Sequence, residues 1–466
     1  MKVFEVSVQE LKFGDRLVPL CYYYSKFVKE ENMSKGIDYI KLGKYSTISD
    51  GEHSAIPRNN VSGIRYLYGR NVKEGIVDFD PISDDSYIYE YDYDSFNRCH
   101  IHKNDVLIAI YGTVGKSAVY RDEYIGKAGI PRHIANITLK KDAPITPEYL
   151  TAFFRSKFGK WQMNSVMTGN IQQLLSLKNL RDFDVPVPDK SILDSITASE
   201  KEAVECEIKA QRLLKEAQQV FYDGLGFDVN SIKRDFSFSV DYSELAESGV
   251  WSTSFYDKLY VKMAAALEKY SGIITLREIT DMINGDEVGS DNYIEYIDRS
   301  IEDTPFIRTS DIVNNEVDLY PDYYIPKDAL EEVSQDVIPG DVIFTKDGKI
   351  ACAGMITESD RVILSSGIER IRLNEEGKKL GFTQEYLFVA LNTPEVGRYG
   401  AIRRTVVAST IPHLRVERLK DIEIPVEDSE SIEKITVLVK KAFEFKSRRK
   451  SILKASENIL DNYFQS

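Results

Sequence analysis

The chain of 466 residues has no long apolar run, and it contains only four cysteines, five histidines and two tryptophans. No stretch approaches the roughly 18 uninterrupted apolar residues that a membrane-spanning helix needs. The first residues, MKVFEVSVQELKFGD, carry acidic side chains where a signal peptide would have its apolar segment. These absences predict a cytoplasmic protein that does not associate with membranes.

Metal-binding patterns are also missing. The cysteines, Cys21, Cys99, Cys206 and Cys352, are scattered without a CxxC pair or a Cys/His spacing. They are predicted to be reduced thiols with a structural role. The histidines form neither an HExxH motif nor another paired ligand spacing. The sequence therefore predicts no metal site.

Motifs for nucleotide chemistry and covalent catalysis are absent. The segment GTVGKS at 112–117 resembles a phosphate-binding loop, but a Walker A motif needs glycine where this chain has Ile110. GTVGK instead predicts a tight loop whose glycines permit close backbone approach. No Asn-Pro-Pro-Tyr-type segment and no Gly-x-Ser-x-Gly elbow occurs. We expect a protein that is not an enzyme.

An internal repeat is the main feature that is present. NVKEGIVDF at 71–79 matches DIVNNEVDL at 311–319, and NDVLIAIYGTVGK from 104 matches GDVIFTKDGKIAC from 340. Two later blocks, PEYLTAFFRS with QEYLFVALNT and LKNLRDFDVPVPD with VERLKDIEIPVED, follow in the same order. The offsets stay between about 236 and about 240 residues, which indicates duplication of half the chain.

Each half predicts short β-strands, a short helix, a strand ending in proline, and a long segment without proline. Apolar residues recur three and four positions apart in the long segments, as in a helix of about 30 residues and roughly 45 Å. Two equivalent helices of this length favour an antiparallel pair; the alternative is that each helix caps its own domain. The predicted fold is α+β, with two β-rich α/β domains joined by two long antiparallel helices in a pseudo-twofold repeat.

In two of the repeated segments quoted above, the chain resembles the specificity subunit of Type I restriction-modification systems. TGNIQQLLSLKNLRDFDVPVPD at 168–189 is similar to the segment that ends a target-recognition domain, and NDVLIAIYGTVGKSAVY at 104–120 is similar to the family's hairpin. The second half departs from both patterns, with KDGKIACAG and VVASTIPHLRVERL. The family explains such divergence, because each domain recognises a different half-site.

The resemblance implies four segments: target-recognition domain 1 at 1–189, a spacer helix at 190–225, a linker with target-recognition domain 2 at 226–427, and a second spacer helix at 428–466. It also implies recognition of double-stranded DNA with a bipartite, asymmetric target, in the context of phage defence. The implied partners are two adenine-N6 methyltransferase subunits and ATP-dependent restriction subunits. The chain itself would hold no cofactor, while the partners would use S-adenosylmethionine, ATP and magnesium.

Candidate DNA-binding residues are polar side chains expected at loop tips, where Arg suits guanine and Asn or Gln suits adenine. In the first half they are Arg65, Tyr68, Arg70, Asn71, Tyr111, Thr113, Lys116, Arg132, His133, Gln172 and Gln173. In the second half they are Arg308, Thr309, Ser310, Lys346, Lys349, Arg403, Arg404, Thr405 and Ser409.

The net charge of -14 argues against binding DNA through overall attraction, although charge is unevenly distributed. A basic run near the C-terminal helix comprises Lys440, Lys441, Lys446, Arg448, Arg449 and Lys450. This run would follow a DNA backbone, contact an acidic partner, or form a solvated helix face. The alternative function is a duplicated protein-protein scaffold that does not recognise DNA.

Overall fold

The structure, a computed structural model, describes residues 5–6, 19–58, 63–78, 87–112, 114–168, 173–226, 237–257, 261–262, 265, 267, 272–287, 303–326, 335–407 and 411–465. The chain divides into two compact units. Unit 1 comprises residues 1–208 with 448–466, and unit 2 comprises residues 209–447. A long helix near residue 208 and another near residue 447 therefore contribute residues to both units.

Unit 1 contains eleven described strands and seven described short helices before its first long helix. The strands are β1 (Asp38–Lys41), β2 (Ser46–Asp50), β3 (Ile64–Tyr66), β4 (Val72–Lys73), β5 (Ile76–Val77), β6 (Tyr87–Ile88), β7 (Val106–Ala109), β8 (Ser117–Val119), β9 (Ala128–Gly129), β10 (Ile134–Leu139) and β11 (Asp184–Val187). The helices are α1 (Pro19–Tyr22), α2 (Glu30–Ser34), α3 (Glu90–Ser95), α4 (Asp122–Ile125), α5 (Pro147–Arg155), α6 (Lys157–Val166), α7 (Leu177–Arg181) and the long α8 (Lys190–Leu225).

Unit 2 follows the same plan. Its described strands are β12 (Ile273–Thr275), β13 (Thr280–Asn284), β14 (Thr304–Ile307), β15 (Ile312–Val313), β16 (Glu316–Val317), β17 (Tyr323–Ile325), β18 (Val342–Thr345), β19 (Ala353–Met355), β20 (Ile363–Leu364), β21 (Ile368–Leu373), β22 (Val406–Val407), β23 (Pro412–His413) and β24 (Glu423–Pro425). Its described helices are α9 (Tyr242–Ser248), α10 (Leu276–Ile279), α11 (Glu375–Lys379), α12 (Gln384–Asn392), α13 (Tyr399–Arg404), α14 (Val416–Leu419) and the long α15 (Ser429–Gln465).

Four sheets repeat strand by strand between the units, and unit 2 has the additional described pair β22-β23. Unit 1 has the orders β2-β10-β7-β8, β6-β3-β9, β1-β11 and β4-β5, and unit 2 has β13-β21-β18-β19, β17-β14-β20, β12-β24 and β15-β16. The register repeats as well, because Ile137 pairs with Ile48 and Val106. Its counterpart Ile371 pairs with Met282 and Val342. The internal repeat predicted from the sequence is therefore confirmed.

Strand β7 shows why a wholly apolar segment becomes a central strand. Successive side chains of a strand point to opposite faces of the sheet. Val106 and Ile108 join the core that contains Phe153 of α5, whereas Leu107 and Ala109 join a second core on the other face. All four residues are buried, so both faces of this sheet are covered.

Two glycines at equivalent positions allow close backbone contact at the end of the first strand of each four-stranded sheet. A Cβ atom at Gly51 would lie 2.1 Å from the carbonyl oxygen of Ile130, and one at Gly285 would lie 2.2 Å from that of Ser365. Such separations do not occur for real Cβ atoms. Any larger residue at either position would displace the neighbouring chain, which explains glycine in both copies.

The long helices run antiparallel within unit 1. The backbone NH of Asp189, just before α8, donates to the hydroxyl of Tyr463 at 3.3 Å. Further along α8, Glu202 forms an ion pair with Arg448. The partner residue number in α15 falls as the number in α8 rises, which defines the antiparallel direction. Leu460 of α15 also enters the core of unit 1.

The same direction holds within unit 2. The ammonium of Lys209 lies 5.7 Å from the ring centroid of Phe445. At the other end of α8, a Cβ atom at Gly224 would lie 2.2 Å from the Oε2 atom of Glu427. The helices contain 36 and 37 residues, or about 55 Å each. The α+β class and the antiparallel helices are confirmed, and the helices lie at 190–225 and 429–465, close to the bounds expected for the two spacer helices.

Candidate nucleic-acid interface

The hairpin between β7 and β8 in unit 1 has the same loop backbone as the equivalent hairpin between β18 and β19 in unit 2. Gly112 and Gly115 adopt φ angles of 77° and 96°, and the equivalent Gly348 and Ala351 adopt 63° and 65°. The NH of Gly115 donates to Ala109 O at 2.9 Å, and that of Ala351 donates to the carbonyl oxygen of Thr345 at 3.0 Å. The tight loop predicted from GTVGK is therefore present, and it survives in unit 2 without the Gly-Lys-Ser sequence.

Four chain segments meet around this loop in unit 1. The NH of Ile110 donates to His133 O at 3.0 Å, and the NH of Gly112 donates to Gln173 O at 3.3 Å. The rings of Tyr111 and His133 lie 5.3 Å apart. A Cβ atom at Gly69 would lie 3.6 Å from the carbonyl oxygen of Tyr111. We call residues 69–71, 111–112, 132–133 and 173–174 loop cluster 1.

Stacked cations and aromatic rings border loop cluster 1. The guanidinium carbons of Arg58 and Arg70 lie 3.9 Å and 4.2 Å from the ring centroid of Tyr68. At such distances each face of the ring has room for one guanidinium, so the phenol lies between two positive charges. Arg58 also lies 4.5 Å from the ring of Tyr66, and its Nη1 atom is buried with no hydrogen-bond acceptor among the described residues.

Arg58 was not among the sequence candidates. It lies in an irregular stretch without a motif, and only the folded chain brings it to the aromatic rings. Arg65, which was predicted, is half-buried on β3 with its guanidinium 5.9 Å from the ring of Tyr87. Arg132 and Gln173 are exposed. Their polar groups are therefore available to a ligand beside Tyr111.

Electrostatics set the protonation state of His133. Burial lowers the pKa of this imidazole below its ordinary value, and the charges of Arg132 and Arg58 lower the pKa further. The ring is therefore neutral near pH 7, with one nitrogen donating and the other accepting. Loop cluster 1 combines positive charge with a neutral imidazole and a phenol that is 39% exposed.

Unit 2 assembles the same four segments with different side chains. The NH of Lys346 donates to Gly367 O at 2.9 Å, and the NH of Gly348 donates to Pro412 O at 3.1 Å. These bonds are the counterparts of those made by Ile110 and Gly112 in unit 1. We call residues 309–311, 347–348, 366–367 and 411–413 loop cluster 2.

At two positions loop cluster 2 has an acidic or hydroxyl side chain where loop cluster 1 has an aromatic or basic one. Asp347 stands at the position of Tyr111, and its carboxylate contacts the Nδ1 atom of His413. Thr309 and Ser310 stand at the positions of Gly69 and Arg70. The backbone frame is thus common to both units, whereas the chemistry of the exposed groups differs.

Arg308 lies beside loop cluster 2 in a fixed orientation. Its guanidinium carbon lies 3.9 Å from the ring centroid of Tyr323. Its Nη2 atom donates to Asp322 at 3.3 Å, and its Nε atom lies 3.7 Å from Asp311. The stacked ring and the two carboxylates fix the orientation of this planar guanidinium, and the carboxylates neutralise much of its positive charge.

Other predicted residues use their side chains to hold the loops. Asn71 accepts from the NH of Tyr68 at 2.7 Å, and Lys349 donates to the carbonyl oxygen of Ile312 at 2.6 Å. Thr405 is buried, with its hydroxyl bonded to the carbonyl oxygen of Ala401. In this conformation these polar groups bind the backbone of the chain itself instead of facing a ligand.

The remaining candidates divide by burial. Lys116 and Lys346 are buried, at 8% and 6% exposure. The ammonium of Lys346 lies 3.9 Å from Glu369, whose pKa burial raises to about 7. Arg404 donates to two backbone carbonyls, and Arg403 lies over Phe255 at 4.6 Å. Thr113, Gln172 and Ser409 lie outside the described residues.

Half of the basic run of α15 is turned inward. Lys446 and Lys450 are fully buried and Arg449 is 4% exposed. Lys446 forms an ion pair with Glu316 at 3.1 Å, and Arg449 lies 3.4 Å from Glu207. For these three residues the predictions of a solvated face and of a DNA-tracking or partner-binding surface were wrong, because all three are buried and carboxylates pair with Lys446 and Arg449 inside the units. Lys440, Lys441 and Arg448 are exposed.

Metal and membrane features were searched in the described part of the chain. There, no group of three or more His, Cys, Asp and Glu side chains is arranged to hold a metal ion. Among the helices that the structure describes, none combines the length and apolar character needed to cross a bilayer.

Comparison with known proteins finds a family match within unit 2. Residues 272–446 match the family described as Type I restriction modification DNA specificity domain. No curated protein sequence matches the chain.

Solved structures of specificity subunits are similar at low identity. The Type-I restriction-modification S subunit from M. genitalium is 11% identical, with 92% of this chain and 96% of that chain covered and a TM-score of 0.36. The HsdS subunit from Thermoanaerobacter tengcongensis is 14% identical over 92% and 97% of the two chains, with a TM-score of 0.27.

The family match covers one copy of a duplicated fold. Unit 1 repeats the strand orders and the loop frame of unit 2, and residues 272–446 contain that frame. Residues 272–446 are therefore similar to Type I restriction modification DNA specificity domains, and the resemblance predicted from the sequence is confirmed for this half of the chain.

Proposed function

We propose that the chain recognises a bipartite, asymmetric DNA sequence as the specificity subunit of a Type I restriction-modification complex. One observation carries the proposal: loop clusters 1 and 2 share their backbone hydrogen bonds but not their exposed side chains. Two identical frames with different polar groups suit two different half-sites, since base edges are distinguished by their donors and acceptors.

In this proposal loop cluster 1 supplies cations and loop cluster 2 supplies mainly acceptors and hydroxyls. Arg70 and Arg132 bind phosphates or guanine, and Gln173 and Tyr111 contact bases. Thr309 and Ser310 act in the second half-site. The side chains of Asn71, Lys349 and Thr405 support the loops. Arg58 also contributes to loop cluster 1 in this proposal, because its buried Nη1 atom lacks an acceptor among the described residues.

The chain itself supplies recognition and no chemical step. Two adenine-N6 methyltransferase subunits dock on the long helices α8 and α15 and use S-adenosylmethionine, and restriction subunits use ATP and magnesium. These partners would also compensate for the net charge of -14, because binding to the DNA backbone requires positive charge.

Selection from a random pool tests the proposal. The purified chain, alone and with its methyltransferase subunit, is incubated with random duplexes, and the bound fraction is sequenced. We expect two short conserved blocks separated by a gap of fixed length, with binding that weakens steeply as salt rises. Enrichment of no sequence by the complex, at low salt as well, would contradict DNA recognition and favour the scaffold alternative.

A further inference from the structure

Asp347 and His413 form a pair at the centre of loop cluster 2. Asp347 is the hairpin residue equivalent to Tyr111, and it bridges to His413 as Tyr111 bridges to Leu174 in unit 1. The side chains are 32% and 47% exposed. The pair thus occupies the positions where loop cluster 1 has Tyr111 and Leu174.

Both units place an imidazole against the hairpin residue, but different segments supply it. In unit 1 it comes from His133, in the turn before β10, and in unit 2 it comes from His413 of β23. Gly367 stands at the position of His133. A Cβ atom there would lie 2.9 Å from the Cγ2 atom of Thr309 and 3.5 Å from the Cβ atom of Asp347. The space vacated by a side chain at 367 is therefore filled by Thr309 and Asp347.

The contact with Asp347 determines which atoms His413 offers to a ligand. A carboxylate oxygen can only accept, so the Nδ1 atom of His413 carries the proton between them. When the ring is neutral its Nε2 atom is then an acceptor, and the second carboxylate oxygen of Asp347 is an acceptor whichever form the ring takes. Two neighbouring acceptors match a base that presents a donor in the major groove. Those donors are the exocyclic amino groups of cytosine and adenine.

We propose that Asp347 and His413 together determine specificity in the second half-site, by selecting a base with an exocyclic amino group on the contacted strand. This inference rests on the proposed function, since it assigns one position within the DNA target. Asp347 contributes in two ways: it accepts from the base and it orients the imidazole. Loop cluster 1 lacks this pair of acceptors, because its hairpin residue is the phenol Tyr111, which can donate as well as accept.

The test compares sequences selected from a random duplex pool by the unaltered chain and by Asp347→Asn and His413→Gln. Both variants should lose discrimination at one position of the second half-site, by about ten- to a hundredfold, and leave the first half-site unchanged. Asp347→Asn should also shift that position towards adenine, because an amide pairs with the N6 and N7 atoms of adenine. His133→Gln should alter the first half-site only.

Two controls keep the outcomes distinct. Glu375→Gln removes one negative charge from an exposed ion pair with Lys378 in the same unit, and it should leave both half-sites unchanged. If Asp347→Asn lowers the melting temperature, His413→Gln decides, since it leaves Asp347 in place. Unchanged discrimination in both variants would overturn the inference while the proposed function stands. Absence of any selected sequence with the unaltered chain would instead overturn the proposed function.

Discussion

The hydroxyl oxygens of Thr146 and Thr197 lie 2.8 Å apart, where helix α5 meets the long helix α8. Thr383 and Thr436 repeat this contact at 2.7 Å in unit 2. Each pair joins the β-rich part of a unit to a long helix through one hydrogen bond. The duplication therefore preserved a specific polar contact as well as the apolar cores.

Thr146 has a second role, because its hydroxyl also accepts from the NH of Tyr149 and caps α5. Thr197→Val should cost about 1 kcal/mol of unfolding free energy, and Thr146→Ala about 2 kcal/mol because the cap is lost as well. Urea unfolding of the purified variants measures both. Equal costs for the two variants would show that the cap contributes nothing.

The buried ion pair of Lys446 and Glu316 should be costly to break on one side only. Lys446→Met leaves a buried carboxylate without its cation and should destabilise unit 2 by about 3–5 kcal/mol. Adding Glu316→Ile should restore most of this loss, since Ile76 stands at the equivalent position of unit 1. Comparison of the unfolding free energies of the single and double variants measures the recovery.

A matched surface pair serves as the control for that experiment. Lys378 contacts Glu375 at 2.8 Å with both side chains largely exposed. Lys378→Met should therefore change the unfolding free energy by less than about 1 kcal/mol. A double variant no more stable than Lys446→Met alone would argue that the ion pair has a role beyond neutralisation.

Stability should fall as pH rises because of Glu427. Burial raises the pKa of this carboxyl to about 8, and the charge of Asp428 contributes to the rise. The folded state therefore binds more protons than the unfolded state between pH 4.5 and 8. The unfolding free energy then decreases with pH in this window, by at most about 1.4 kcal/mol per unit for one group.

Glu427→Gln should remove that slope and stabilise the protein at pH 8. A shallower slope should persist below pH 7, because burial raises the pKa of Glu369 to about 7. Urea unfolding at several pH values between 4.5 and 8.5 gives the profiles. An unchanged slope between pH 7 and 8 in the variant would show that Glu427 is ionised in the folded state.

Salt dependence should identify the cations of loop cluster 1 that contact phosphates. For a phosphate contact, Arg132→Gln should weaken binding to all selected sequences alike and reduce the slope of log affinity against log salt by about one. Arg277→Gln is the control, because Glu417 and Asp421 already neutralise that guanidinium. A loss of sequence preference with an unchanged slope would assign Arg132 to a base contact instead.

The fold was largely predictable because its signals are local or repeated. Apolar periodicity over 190–225 is a property of neighbouring residues, and the repeat showed that β7 and β18 must be equivalent strands. The ends of both long helices were predicted to within one residue, because proline-ended strands precede both helices. Strand order was not predictable, since pairing such as β3 with β9 depends on contacts between distant segments.

The candidate site was predictable in position but less so in the role of each side chain. Tyr111 and His133 were identified because loop tips carry polar groups, and the fold brings them together. His413 was missed as a candidate because Asp347 lies 66 positions away. Lys446 was misinterpreted for the same reason, since a run of cations looks solvated until Glu316, 130 positions away, is brought to it.

The division of α15 between the units has a consequence for synthesis. Leu460 and Phe464 complete the core of unit 1, and Tyr463 lies 274 positions after its partner Asp189. At ribosomal rates this separation corresponds to a delay on the order of ten seconds to a minute. Throughout that interval the apolar surface around Phe153 and Phe158 lacks the side chains that cover it in the folded protein. We therefore expect the nascent first unit to bind chaperones that recognise exposed apolar surface.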